Sequence, residues 1–253
     1  MSVLLMRLAG PMQSWGTRSR FTNRDTGLEP SKSGVIGLLC AALGWPRDAD
    51  TFQMASKTYT LEEFARSLVM AVRVDREGRL MRDYHTAQNV RRADATKGTQ
   101  DTVVSERFYL ADADFLVGLE GDRVLLEHLD AKLRAPTWTL YLGRKSFVPS
   151  LPVSEAVNDS DRLSDDQLIQ VMSKQAWRRR HYAETPPDKP LRGVIEVDYG
   201  KGEPRQDVPL SFVSRNLRFA VRHVHDYPFP IPEIVEPIAE RTHVPQQADA
   251  RRA

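Results

Sequence analysis

Cysteine is nearly absent from this sequence. Its 253 residues include one cysteine, Cys40, which excludes an intramolecular disulfide and any metal site built from several thiolates. Cys40 lies among leucines and alanines, so we expect a buried core thiol. No apolar run approaches the roughly 18–20 residues that a membrane span requires, and Met1–Gly10 is too short for a secretory signal. These absences predict a cytoplasmic protein that does not associate with a membrane.

A strong excess of charge is also lacking. The formal net charge is +2, which excludes a simple polybasic nucleic-acid binder but leaves room for local basic patches. Hydrophobic residues make up 41% of the chain, enough for a sizeable core. The motifs G-x-S-x-G, H-E-x-x-H and G-x-G-x-x-G do not occur, and no Walker A loop precedes Lys32. The sites that these motifs build in hydrolases, zinc proteases and nucleotide-binding proteins are therefore not indicated.

The hydrophobic pattern predicts a mixed α+β chain. Strands are expected at Val3–Ala9, Leu68–Asp75, Val104–Leu110 and Phe115–Leu119, and helices at Ser31–Leu43, Asp50–Thr58, Leu61–Ser67 and Asp122–Arg134. The early order of strand, helix, strand, strand, helix, strand suits a ferredoxin-like βαββαβ fold. RNA-recognition domains use this sheet, but so do many unrelated proteins, so the fold alone does not decide the function.

Other stretches are expected to be irregular or to add to this core. Met12–Pro30 is expected to be a long loop, and loops of this length are usually functional or disordered. Tyr84–Val103 is polar with little periodicity, so we expect an extended arm or mobile hairpin. Ser154–Ser164 is acidic and loop-like, and Ser164 is expected to cap a helix that follows it. Late strands and a frayed tail are expected at Leu191–Tyr199, Val208–Phe212, Leu217–His225 and Gln246–Ala253.

The first predicted helix combines a stripe of small residues with a polar start. Gly34, Gly37 and Ala41 follow the spacing i, i+3, i+7, which lets another backbone approach closely. Tight packing against the sheet would explain this stripe as well as a function would. In the functional interpretation, Ser31–Gly34 presents free amides, two hydroxyls and the Lys32 ammonium to a phosphate at a helix start.

Three stretches are basic and contain no acidic residue between their cations. Their cations are Arg18, Arg20 and Arg24; Lys132, Arg134, Arg144 and Lys145; and Arg215, Arg218 and Arg222. Each stretch alone is typical of a solvated surface. Because they are interleaved with aromatic residues, they together favour backbone contacts and base stacking on single-stranded RNA. These aromatic residues are Trp15, Trp138, Tyr141 and Phe147.

The histidines offer two weaker alternatives. Tyr84-His85 could support metal-free cleavage of RNA, since a histidine can take a proton from a 2′-hydroxyl. His223-x-His225 could bind a metal, but no third ligand is in view, and we favour an ordinary strand surface. We therefore predict no catalytic residue, no cofactor and no metal, and we keep a metal-independent endoribonuclease as an alternative.

Five segments of the chain resemble one known family. They are LLMRLAGPMQSWG at Leu4–Gly16, PSKSGVIGLL at Pro30–Leu39, DYHT at Asp83–Thr86, RFYLADA at Arg107–Ala113 and YLGRKS at Tyr141–Ser146. Together, and in this order, they are similar to the CasD family, which are subunits of subtype I-E CRISPR Cascade complexes in the RAMP superfamily. The C-terminal part of the chain matches less clearly.

The resemblance implies a single RAMP domain over residues 1–253 with an RNA-recognition-like fold, a thumb at 76–106 and further strands at 191–225. It also implies a non-catalytic subunit that grips the five-prime handle of CRISPR RNA at one end of the surveillance complex. Partners would be the CRISPR RNA, the repeated Cascade backbone subunit and the Cascade large subunit, with target DNA reached indirectly through the complex. A purely architectural subunit is a second alternative.

The residues that we expect to contact RNA come from these segments. They are Gln13, Trp15, Lys32, Ser33, Tyr84, Arg107, Tyr141, Arg144 and Lys145. In this interpretation, the block from Leu4 to Gly44 is one wall of an RNA cradle, which Tyr84, Arg107 and Gly143–Lys145 complete.

Overall fold

The computed structural model describes residues 1–17, 19, 22–54, 57–91, 100–154, 162–181 and 183–235. The strands are β1 (Ser2–Ala9), β2 (Met12–Gln13), β3 (Asn23–Arg24), β4 (Thr51–Met54), β5 (Lys57–Thr60), β6 (Val69–Arg76), β7 (Arg79–Arg91), β8 (Gln100–Ala111), β9 (Asp114–Gly121), β10 (Leu163–Ser164), β11 (Trp177–Arg178), β12 (Leu191–Val197), β13 (Glu203–Ser211), β14 (Arg218–Phe229) and β15 (Ile234–Val235). The helices are α1 (Lys32–Leu43), α2 (Leu61–Arg66), α3 (Arg123–Arg134) and α4 (Leu168–Lys174). Among these described residues, we find no helix with the length and apolar character needed to cross a bilayer.

The main sheet has seven antiparallel strands in the order β10-β1-β9-β6-β12-β14-β13. Along the chain, its first four strands and two helices come in the order β1, α1, β6, β9, α3 and β10, with β4, β5 and α2 inserted before β6 and the hairpin of β7 and β8 before β9. The strand predicted at Val104–Leu110 is part of β8, outside this sheet. The mixed α/β class is thus confirmed. The last of these strands, β10, lies in a stretch that we expected to be a loop.

The sheet has an apolar layer on each face, which explains why β1 is buried along its whole length. Leu4, Met6 and Leu8 point into the larger core beneath α1 and α3, and Val3 and Leu5 point into a smaller core beneath α4. A strand that is covered on both faces has a continuous apolar run rather than an alternating one. The predicted first strand therefore lies at the centre of the molecule.

The start and end signals of α1 act as the sequence predicted. The Ser31 hydroxyl accepts a hydrogen bond from Gly34 N at 3.2 Å, and Gly44 ends the helix with a φ of 76°. The predicted helices at Leu61–Ser67 and Asp122–Arg134 are confirmed as α2 and α3, with Thr60 and Asp122 as N-caps. α4 begins at Leu168 instead of just after Ser164.

The helix predicted at Asp50–Thr58 is wrong, because this region forms the hairpin of β4 and β5. Phe52 stacks on Trp45 at a ring-centroid distance of 5.3 Å, and Met54 on the same strand is buried. Alternate residues of β4 thus meet the core, and this tertiary packing overrides local helix propensity. The predicted loop at Met12–Pro30 is also partly wrong, since it contains the short strands β2 and β3.

The stretch that we predicted to be an arm lies on a long hairpin. β7 and β8 pair from Arg79–Ala111 to Arg91–Gln100, and β2 and β3 add to the β8 side to form a second sheet. The predicted thumb at 76–106 covers most of this hairpin, and its tip at 92–99 lies outside the described residues. The predicted late strands are confirmed as β12, β13 and β14, while the predicted tail at Gln246–Ala253 lies outside the described residues.

A buried group of charges, the Lys32 cluster, ties the start of α1 to the C-terminal strands. It consists of Lys32, Glu196, Asp207 and Arg222. The Lys32 ammonium donates to Glu196 at 2.7 Å and to the Leu68 carbonyl at 2.8 Å, while its backbone N–H donates to Asp207 at 2.8 Å. Arg222 donates to both carboxylate oxygens of Asp207, at 2.7 and 2.9 Å. The two cations and two anions balance.

A second buried group, the Arg7 cluster, lies on the opposite face of the sheet. It consists of Arg7, Arg73, Asp75, Arg76, Asp114 and Glu184. Arg7 donates to Asp75 at 3.0 Å and to Asp114 at 2.9 Å, so it links β6 to β9 through β1. Arg76 reaches Glu184 at 2.6 Å and anchors the segment after β11 to the sheet.

Replacement of Lys32 by methionine tests the first cluster. Lys32→Met removes the ammonium but keeps an apolar side chain, so Glu196 loses its closest cation. Because breaking a buried ion pair from one side is costly, we expect the free energy of unfolding to fall by about 3 kcal/mol. Urea unfolding followed by circular dichroism measures this loss. Lys145→Met, at an exposed lysine, is the control and should change stability by less than about 0.5 kcal/mol; equal losses in both variants would refute the buried pair.

The pH dependence of stability tests the second cluster. Burial alone would raise the pKa of Glu184, but hydrogen bonds from Arg76 and from the Arg180 N–H lower this pKa to about 2. A pKa lower in the folded than in the unfolded state adds stability above the unfolded value of 4.5, and this stability is lost as the pH falls towards 2. The difference in free energy of unfolding between the wild type and Glu184→Gln should therefore shrink between these pH values. A difference that stays constant from pH 7 to pH 2 would contradict the ion pair.

Candidate nucleic-acid interface

Three arginines meet where the hairpin joins the main body, and we call them the arginine cluster: Arg24, Arg107 and Arg144. Arg24 on β3 and Arg107 on β8 are direct partners in the parallel register. Arg144 reaches them from the loop after α3, and its guanidinium donates to the Phe108 carbonyl at 2.9 Å and to the Arg24 carbonyl at 3.3 Å. Cations from three distant parts of the sequence thus share one place.

The electrostatics of the arginine cluster favour an incoming anion. Partial burial and the neighbouring Arg107 lower the pKa of Arg144, and Arg24 acts in the same direction. Asp83, which pairs with Arg107 in the hairpin register, and Asp25, which follows Arg24 in the sequence, both oppose this shift. Because like charges are held close together here, a phosphate would relieve their repulsion and accept charge-assisted hydrogen bonds.

A tight turn aims Arg144 at the cluster. The Leu142 N–H donates to the Phe147 carbonyl at 2.8 Å, and the Phe147 N–H donates to the Arg144 carbonyl at 2.9 Å. The Arg144 guanidinium lies over the Phe147 ring, 5.4 Å from its centroid. Gly143 has a φ of 94°, and a Cβ atom there would lie 1.8 Å from the Ser14 carbonyl oxygen. Only glycine fits this backbone and this contact.

Gln13 and Trp15, predicted to contact RNA, are buried beneath the cluster. The Gln13 amide donates to the carbonyls of Leu8 at 2.9 Å and Ala113 at 2.8 Å, and its oxygen accepts from the Trp15 indole at 3.1 Å. The Trp15 ring packs against Gly34, where a Cβ would come within 2.8 Å. In this structure both side chains support the first loop from inside.

The predicted phosphate site at the start of α1 is wrong for Lys32, whose charged group and backbone amide are both used inside the protein. The Lys32 side chain is buried in the Lys32 cluster, with the residue 1% exposed, and its backbone N–H is taken by Asp207. The ammonium and amide are therefore not offered to a ligand. Ser33 is half-buried, with its hydroxyl 3.3 Å from that of Ser31.

Tyr84 lies on the other face of the hairpin from Arg107. The register pairs Tyr84 with Glu106 and Asp83 with Arg107, and successive strand residues point to opposite faces. Tyr84 is 69% exposed but does not join the arginine cluster. For the same reason Tyr84 and His85 point apart, so the two cannot act together on one phosphate in this conformation.

Tyr141 and Lys145, the remaining predicted residues, flank the cluster on the surface. Lys145 is exposed beside Arg144, and Tyr141 is half-buried in the wall of a cleft of about 540 Å³ between α1 and the β13–β14 connection. We call this the aromatic cleft; its walls include Gly37, Ala41, Trp138, Tyr141, Phe212 and Phe219. Ser14 and Gly143 also line it, so the cleft is continuous with the loops that hold the arginine cluster.

The cations of the three basic stretches differ in their surroundings in the structure. Arg24 joins the site, although we did not select it from the sequence, whereas Arg18 and Arg20 lie outside the described residues. Arg134 pairs with Asp130 at 2.7 Å and Arg222 with Asp207, so these two cations are neutralised. In the part of the chain that the structure describes, no group of three or more His, Cys, Asp or Glu residues could hold a metal ion.

Comparisons with known proteins agree on one family. A family model described as "CRISPR-associated protein (Cas_Cas5)" matches residues 3–225. The chain is 36% identical over 156 residues to "CRISPR system Cascade subunit CasD" of Escherichia coli (strain K12), which covers 57% of this chain and 66% of the relative. The chain thus spans just under two thirds of that curated relative.

Solved structures give the same result over nearly the whole chain. One, described as "Crystal structure of Cas protein", has a TM-score of 0.67 and 38% identity, covering 91% of this chain and 98% of that one. Another, described as "CRISPR RNA-guided surveillance complex", has a TM-score of 0.69 and 31% identity, covering 93% and 94% of the two chains.

Substitution of Gly143 tests the turn that aims Arg144. Gly143→Ala places a methyl group against the Ser14 carbonyl and strains a left-handed backbone, so we expect a loss of about 3 kcal/mol in free energy of unfolding. Gly200→Ala is the matched control, because Gly200 has a φ of 80° but nothing within 4 Å of its added Cβ. It should lose only about 1 kcal/mol. Equal losses in urea unfolding would mean that the close contact with Ser14 is unimportant.

Proposed function

Because this chain belongs to the family of CRISPR-associated proteins described as Cas_Cas5, we propose that it is a non-catalytic RNA-binding subunit of a Cascade surveillance complex. Its task in this proposal is to grip the five-prime handle of the CRISPR RNA. The observation that carries the proposal is the arginine cluster, because three guanidinium groups from separate segments converge beside an aromatic cleft. Phosphate contacts with adjacent stacking surfaces are the usual means of holding single-stranded RNA.

We assign the fold to the RAMP type, with a ferredoxin-like core and a thumb. The order β10-β1-β9-β6, with α1 and α3 as the connecting helices, supports this assignment. The thumb is the hairpin at 76–106, and β12 to β14 enlarge the core sheet. The whole chain forms one domain in this proposal.

Within the site, different residues have different tasks. Arg107, Arg144 and Arg24 contact phosphates, and Lys145 adds a mobile cation at the rim. Tyr141 and Ser33 reach the RNA from the aromatic cleft. Gln13, Trp15 and Lys32 act indirectly, since their side chains are buried in hydrogen bonds that position the loops.

Partner subunits would use the exposed hairpin. Leu80 and Tyr84 lie on one face of β7 and are 58% and 69% exposed, which is unusual for apolar side chains on a strand. We propose that this face contacts the backbone subunit or the large subunit, and that target DNA is reached only through the complex. The same exposed face supports the alternative of a purely architectural subunit, which would assemble normally without touching RNA.

Arg144→Ala tests the RNA-binding proposal. Loss of one phosphate contact should weaken binding of handle RNA about tenfold. The slope of log affinity against log salt should become shallower by about 0.7, because one fewer counterion is released from single-stranded RNA. Fluorescence anisotropy of a labelled handle oligonucleotide at several salt concentrations measures both quantities.

The control for this experiment is Arg123→Ala. Arg123 is exposed and lies two residues after Gly121, which pairs with Ser2 at the start of β1. Affinity and salt slope should stay at wild-type values in this variant. If Arg144→Ala also leaves both unchanged while the complex still assembles, the architectural alternative is favoured; specific cleavage of repeat RNA in the presence of a chelator would favour the endoribonuclease.

A further inference from the structure

The floor of the aromatic cleft is made by the small-residue stripe of α1. Gly37 and Ala41 are only half-buried and line the cleft, while Val35, Leu39 and Leu43 of the same helix pack into the core. Ala41 also packs against the main core, and Phe212 lies near Gly37, so the expectation of tight packing holds only in part for these two residues. The helix is apolar on its free side as well as on its buried side.

The two positions of the stripe that are glycine, Gly34 and Gly37, differ in how much space surrounds them. Gly34 is needed by the protein itself, because a Cβ there would meet the Trp15 ring at 2.8 Å. Gly37 is not, since a Cβ there would meet Phe212 at 3.7 Å, which is ordinary contact. An interior glycine costs a helix about 1 kcal/mol relative to alanine. At Gly37 this cost leaves room in the cleft, although a methyl group there would fit against Phe212 without a clash.

The walls of the cleft include several aromatic side chains. Trp138 is 47% exposed, and its backbone N–H donates to the Ala41 carbonyl at 3.1 Å, which fastens it beside the end of α1. Phe212 also lines the cleft, and its ring would lie 3.7 Å from a Cβ atom on Gly37. An exposed tryptophan offers a large planar ring on which a base can stack.

Polar and charged groups surround this apolar space. Ser33, Ser211 and Asn216 line it, as do the exposed cations Arg47 and Arg218 and one acid, Asp50. At its other end, Gly143 leads directly to Arg144 of the arginine cluster. The volume of about 540 Å³ is in the range of roughly 300–1,000 Å³ that holds small ligands.

From these features we infer that the aromatic cleft takes one unstacked nucleobase of the RNA whose phosphates lie on the arginine cluster. This inference rests on the proposed function and adds a specific binding place to it. The base would stack on Trp138, and hydroxyl and amide groups of the walls would face its polar edge. A base suits the cleft better than an apolar protein segment, because cations flank the cleft at both ends and polar groups line its walls.

Base insertion can be followed with a fluorescent adenine analogue. Handle RNA is synthesised with 2-aminopurine at one position at a time, and the emission of each oligonucleotide is measured on binding to the full-length chain. Because stacking on an aromatic ring quenches this base, one position should lose emission. That quenching should disappear in Trp138→Ala, with about tenfold weaker binding, and persist in the control Trp138→Phe.

The floor supplies a second, independent pair of variants. Gly37→Leu fills the space where the base would lie and should abolish the quenching, while Gly37→Ala adds one methyl group and should retain it. An abasic nucleotide at the responding position completes a double-mutant cycle. It should weaken binding to the wild type about tenfold and have little further effect on Trp138→Ala.

The outcomes separate this inference from the function on which it rests. If no position is quenched, or if Trp138→Ala leaves the quenching intact while Arg144→Ala weakens binding, the base site is wrong and RNA binding stands. If Trp138→Ala instead releases a partner subunit from the complex and leaves RNA affinity unchanged, a protein segment occupies the cleft and the inference is overturned. If the wild type binds no handle RNA, alone or in the complex, the proposed function fails as well.

Discussion

The rest of this structure depends on the buried charges that fasten the start of α1. Asp207 accepts hydrogen bonds from the backbone N–H of Lys32 and from both sides of the Arg222 fork, while Glu196 accepts from the Lys32 ammonium. These contacts join α1 to β12, β13 and β14, which lie far from it in the sequence. A buried group of this kind adds little net stability over an apolar packing, but it tolerates only one arrangement of its elements. Because α1 and the β13–β14 connection form opposite sides of the aromatic cleft, the Lys32 cluster sets the geometry of the cleft.

Local signals in the sequence were sufficient for several elements of the fold. β1, α1 and α3 were predicted because an apolar period, a capping residue and a turn lie within a few residues of each other. β4 was missed because the contact that decides it, Phe52 on Trp45, belongs to the tertiary structure. Lys32 was misinterpreted for the same reason, since its carboxylate partners, Asp207 and Glu196, lie more than 160 residues away along the chain.

In the candidate site, too, some residues were predicted correctly from the sequence and others were not, because their position depends on distant contacts. Arg107 and Arg144 were selected from segments that resemble one family, and the structure places them together. Tyr84 was selected in the same way, but its pairing with Glu106 sends it to the opposite face of the hairpin. That separation follows from the two-residue period of a strand, but only once the pairing partner is known. A sequence that does not reveal strand register cannot reveal which of two neighbouring residues faces a ligand.

The arginines of this protein differ in what holds them, and this difference bears on function. Arg7, Arg73, Arg76 and Arg222 are buried, and each donates to a carboxylate, so their charges are cancelled inside the fold. Arg144 is held by the carbonyls of Arg24 and Phe108, and Arg107 donates to the Ser105 hydroxyl at 3.1 Å. Neutral acceptors thus orient these two guanidinium groups, while Asp83 and Asp25 nearby offset part of the positive charge at Arg144. A chain with almost no net charge can thus keep a concentrated positive potential at one place, where a polyanion would be bound.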